Sequence, residues 1–169
     1  MSIAALLKTP TPIIRLEFTV NTDNPTLLYV NLPVASIEAT KAFFSGLGFT
    51  FNAMFCGEDT LCMQISPMAS VMFLQQKRFS DFTPKPIADA HNSSEVLLCI
   101  SRGSREQVDE LTNRALSLGA TEVREPQEHG FMYGRSVNDL DGHIWEIMWM
   151  DMAQFPGNDA AAKTDNTAA

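Results

Sequence analysis

Glu146 is the only acid inside an apolar run near the end of the chain. In "DLDGHIWEIMWMD", residues 139–151, it is flanked by Trp, Ile and Met. A charge taken out of water is costly unless it is paired or bound to a metal. Either the run is exposed at that point or Glu146 lines a site. Strand alternation puts Glu146, Met148 and Met150 on one face and Trp145, Ile147 and Trp149 on the other. The Trp/Ile face suits packing under a helix, which leaves the Glu/Met face to line a cavity.

Other side chains could serve a ligand, but each has a plainer use. Tyr29 and Asn31 alternate along "LLYVNLPV" and face the same way. Asn31 could bond a ligand, or satisfy a neighbouring backbone group. Phe131, Tyr133 and Arg135 share a strand face. Tyr133 and Arg135 suit an anionic or aromatic ligand, although a core aromatic and a surface Arg explain them nearly as well. Met63, Met132, Met148 and Met150 could form an adaptable pocket wall, yet Met is also a common core filler. Glu95, at a strand start, reads by itself as a solvated acid. His91 and His129 fall in loop-like stretches, and His143 sits in the turn "DGH". No GxGxxG, P-loop, HExxH or Ser-His-Asp grouping is present, so those chemistries have no support.

Composition narrows the partners. The 169 residues are 45% hydrophobic and 19% charged, which suits one folded domain rather than a disordered chain. A net charge of −8 and a pI near 4.7 argue against nucleic acid or an anionic membrane as partner. No apolar stretch approaches the ~20 residues of a membrane span. The opening "MSIAALLKTPTP" has too short an apolar run for a secretory signal. Cys56, Cys62 and Cys99 lack CxxC spacing and read as reduced thiols of a cytoplasmic protein.

Two segments must position these residues, and they look alike. Ser36–Leu47 ("SIEATKAFFSGL") carries Ile37, Thr40, Phe44 and Leu47 on one stripe before Gly48. Ser104–Leu118 ("SREQVDELTNRALSL") carries Val108, Leu111, Ala115 and Leu118 before Gly119, with Ser104 and Gln107 at capping-box spacing. The stripes repeat at a constant offset of 71. Each helix follows one strand-like run and precedes several more, which predicts a duplicated β-α-β-β-β unit. Strands are expected near 27–34, 49–55, 59–66 and 69–76, then near 94–101, 120–125, 130–137 and 143–150. Residues 76–93, with Pro84 and Pro86, read as the linker between modules. Ahead of them, residues 1–25 form an extension in which "IRLEFTV" alternates like an edge strand at 13–20, on its own sheet or on a partner subunit. The small, polar residues 152–169 read as a disordered tail.

"VNLPVASIEATKAFFSGLGF", "EPQ", "GFMYGRS" and "DLDGHIWE" resemble the vicinal oxygen chelate superfamily of glyoxalases, bleomycin-resistance proteins and extradiol dioxygenases. The likeness is greatest to the lactoylglutathione-lyase-like proteins and spans roughly residues 26–151. It implies an α+β fold in which modules at about 26–76 and 93–151 form an open sheet cup. It also implies homodimers and a small-molecule ligand. In metal-dependent members the ligands come from the first and last strand of each module, which the resemblance places at Tyr29, Phe73, Glu95 and Glu146. Tyr and Phe are not usual ligands at such a site. The expectation is therefore no tightly bound cofactor, with at most a weakly held divalent ion at Glu95 and Glu146.

Two functions follow from the resemblance. One is a binding protein with a mostly apolar cup. The other is a metal-dependent lyase, isomerase or dioxygenase acting on an oxygen-chelating substrate. Metal-free acid–base chemistry by Glu146 is a third possibility, and would need a raised pKa.

Overall fold

The computed structural model describes residues 25–154. The strand expected at 13–20, and residues 155–169 of the expected tail, lie outside the described residues. Module one contains β1 (Leu28–Val34), α1 (Ile37–Gly46), β2 (Thr60–Ser66) and β3 (Ala69–Gln75). A short helix, α2 (Gln76–Phe79), opens the linker. Module two contains β4 (Leu97–Ser101), α3 (Arg105–Ser117), β5 (Thr121–Glu128), β6 (Met132–Asn138) and β7 (Ile144–Met150). The sheets run β1-β3-β2 and β4-β7-β6-β5, with the first strand of each parallel to the last.

The duplication is present, but one helix is longer. Ser36 and Ser104 cap their helices through their side chains and stand 68 apart, whereas Gly48 and Gly119, both at positive φ, stand 71 apart. The difference is three residues, close to one helical turn, added at the start of α3. It shifts the caps while leaving the buried stripe in step. The run at 49–55 is not a full strand. Phe51 makes one bridge to Met63, and Ala53–Phe55 turns into a 3-10 helix capped by the Asn52 side chain.

Both helices cover the same side of the sheets. Phe44 of α1 stacks on Phe73 of β3 at 4.7 Å and meets Trp145 of β7 at 5.2 Å. Val108 and Ala115 of α3 join Ile100, Val137 and Ile147 in the same core cluster. The helix-free faces form the open cup.

The two sequence motifs dock on each other across the modules. The His143 ring donates to the Pro33 carbonyl at 2.8 Å, and the Ala35 N–H donates to Asp141 Oδ1 at 2.8 Å. Behind them, Asp139 accepts from the N–H groups of Asp141 and His143 and from Trp145 Nε1. Burial pushes the Asp139 carboxyl above its ordinary range, opposed by the His143 ring and these three donors. "NLPV" and "DLDGH" are thus two halves of one inter-module joint, and His143 is spent on it.

Candidate ligand-binding site

Register places four polar side chains in one row across module two. Cys99 on β4 pairs with Glu146 on β7, Glu146 with Ser136 on β6, and Ser136 with Arg124 on β5. Laterally paired residues share a sheet face, so the row Cys99–Glu146–Ser136–Arg124 lies on the cup side, opposite Trp145 and Ile147. Arg124 reaches back over Ser136, and its Nη2 bonds Glu146 Oε1 at 2.5 Å. That ion pair answers the cost of an acid in an apolar strand.

Cys99, Glu146 and Arg124 of this row line a cleft of about 160 Å³ whose walls include Met132, Met148, Gln127 and His129, while Ser136 is buried and does not reach it. Gly134, paired with Met148, leaves the wall open where a longer side chain would stand. The Ser136 hydroxyl is 1 % exposed and has no hydrogen-bond partner. Such orphaned groups are uncommon in folded proteins and call for an explanation. The Cys99 thiol is pushed up, first by its partial burial against the sheet and then by the Glu146 charge, so it is a poor nucleophile near neutral pH.

A second, larger cleft of about 380 Å³ lies between β1, the linker and the start of β7. Asn31, Glu95, Lys85, Ser93 and Ile144 line it.

The predicted site residues are thus divided. Glu146 and Met148 meet in the smaller cleft, and Asn31 and Glu95 in the larger one. Tyr29 meets Phe55 edge-on at 6.4 Å and borders neither cleft. Phe73 is a correction. It is 0 % exposed and lies in the core under α1, because the cup-facing residue of β3 is its neighbour Met72. Tyr133 and Arg135 also belong to the helix side. Tyr133 donates to Asp109 of α3 at 2.8 Å, and Arg135 bonds Asn113, Asp109 and Glu122. Arg135 borders the smaller cleft, but its guanidinium is committed to α3 and β5.

The donor set does not suit a metal. β4 begins at Leu97, so Glu95 sits in a bend four residues before Cys99, about 13 Å away along an extended chain. Cys99, not Glu95, stands beside Glu146. Among the described residues no three His, Cys, Asp or Glu side chains converge as a metal site. A cation is already at Glu146, and it is the guanidinium of Arg124.

No family model matches the sequence, and no curated protein does. Solved structures do match. A hypothetical protein from S. aureus superposes with a TM-score of 0.64 at 25% identity, covering 73% of this chain and 92% of that one. A glyoxalase/bleomycin resistance protein/dioxygenase family enzyme from Burkholderia phytofirmans gives 0.61 at 20% identity, covering 73% and 97%. Lactoylglutathione lyase from Agrobacterium tumefaciens gives 0.55 at 14% identity, covering 73% and 92%. With a β-α-β-β module followed by a β-α-β-β-β module, helices on one side and an open cup on the other, the chain has the glyoxalase/bleomycin resistance/dioxygenase fold.

Proposed function

We propose that this protein binds a small molecule in the cup of module two, without a metal. The observation that carries this reading is the cross-strand row Cys99–Glu146–Ser136–Arg124 under a cleft walled by methionines. It offers a paired acid and base and adaptable apolar walls, the usual makeup of a ligand site. Ligand sites with a few convergent polar groups orient a molecule through those groups and bind it through the apolar remainder. The reading includes a homodimer, since the exposed apolar side chains of Leu27, Leu28, Phe55 and Leu97 give a partner subunit something to cover.

The test joins a thermal-shift screen of small molecules to elemental analysis of protein purified without chelator. We expect stabilising compounds whose effect is lost in Glu146→Gln and Arg124→Ala, with less than stoichiometric metal in all three proteins. About one equivalent of metal in the wild type, lost in Glu146→Gln, would instead establish a metalloenzyme and end this reading.

A further inference from the structure

We infer that the module-two cleft takes a head group carrying both a cation and an anion, of the α-amino-acid type, with a short unbranched apolar tail. The inference rests on the binding function proposed above and specifies its ligand. Arg124 and Glu146 stand over the unpartnered hydroxyl of Ser136. Their ion pair is partly open to solvent, with side-chain exposures of 49% and 24%. A ligand that opens the pair must therefore supply both charges back, or it leaves one of them unpaired.

What may enter is decided by charge. A plain carboxylate would gain Arg124 but meet the Glu146 charge at close range. A plain amine would gain Glu146 but meet Arg124. A head group bearing both charges satisfies both, its ammonium on Glu146 and its carboxylate on Arg124, through charge-assisted hydrogen bonds. The tail then lies against Met132 and Met148. The cleft, about 160 Å³ and open to solvent, has room for a short chain beside the head group.

L-norleucine, hexanoate and pentylamine separate the three cases, because hexanoate lacks only the amino group and pentylamine only the carboxylate. Binding is followed by amide NMR titration of the full chain, with thermal melts confirming that each variant is folded. The expected result is that norleucine binds at least about tenfold tighter than either analogue, the scale of one charged hydrogen bond. Its shifts should centre on Gly134, Ser136 and Glu146. Arg124→Ala and Glu146→Gln should each abolish the preference while leaving the fold intact. If hexanoate or pentylamine binds as tightly as norleucine, with the same dependence on Arg124 and Glu146, the zwitterion inference falls and the cleft remains a ligand site. If none of the three binds, the inference falls, and the thermal-shift screen decides separately whether the cleft binds anything.

Discussion

At the scale of single residues, Ser136 and Cys99 report on the site without any ligand. A buried hydroxyl with no partner costs on the order of 1–3 kcal/mol. Ser136→Ala should therefore leave the free protein as stable as before or up to about 1 kcal/mol more so, read as an unchanged or raised Tm. A fall in Tm would mean that Ser136 supports the fold. Cys99 reads out its neighbour. The Glu146 charge disfavours the thiolate, so removing it lowers the Cys99 pKa and leaves more thiolate at a fixed pH. Glu146→Gln should speed alkylation of Cys99 at pH 8. Peptide mass spectrometry resolves Cys99 from Cys56 and Cys62, and equal rates in both proteins would show that the charge does not reach the thiol. Glu146 is legible in the sequence because it interrupts an apolar alternation. Arg124 is not, because alternation is the only available signal and the register of β5 shifts on both sides of Arg124, with Pro126 in the second gap. An edge strand tolerates that proline, and the resulting bulge brings an unforeseen side chain over the row.

At the scale of elements, the joint between the motifs depends on Gly142. Its φ is +88°, and a Cβ there would lie 2.7 Å from the His91 backbone nitrogen and 2.8 Å from the Ala90 carbonyl carbon. Gly142→Ala adds left-handed strain of about 1–3 kcal/mol to a backbone collision that no side-chain rotation relieves. We expect a lower denaturant midpoint and weaker amide protection at Ala35, whose N–H is held by Asp141. Unchanged protection would show that the joint adjusts. Both helices, their caps and their terminating glycines are readable from periodicity alone, since a 3.6-residue stripe ending in Gly has few other solutions. The bridge at Phe51 is not. A run of aromatic and apolar residues reads as strand until Asn52 caps a tight turn inside it. The face of Phe73 is lost for a related reason. β3 is apolar on both sides, so alternation carries no sign, and only the stacking on Phe44 decides it.

At the scale of the molecule, the proposed dimer gives a direct measurement. Light scattering should report about twice the 18.7 kDa of one chain. Deleting residues 1–22 should shift that value toward the monomer if the alternating segment at 13–20 covers the apolar edge. An unchanged, stable dimer would exclude the segment as the dimerising element. The overall duplication is visible in the sequence, but the size of the site is not. Repeat and motif specify the cup, whereas the division into two clefts comes from the path of the linker across the end of β1.

The parallel pairing of first and last strands also governs how the chain can be made. Among the described residues, β7 is the one strand bonded to β4, and it is made after the other strands. β4 ends at Ser101 and β7 at Met150, so at about 5–20 residues per second β4 waits roughly 2–10 s for its neighbour. During that interval the nascent second module holds Leu97, Leu98 and Ile100 without a sheet to receive them. A premature stop anywhere before Ile144 would leave β4 unpaired and deprive Phe44 of Trp145. Such a fragment should go to chaperones and proteases instead of accumulating as a half-molecule.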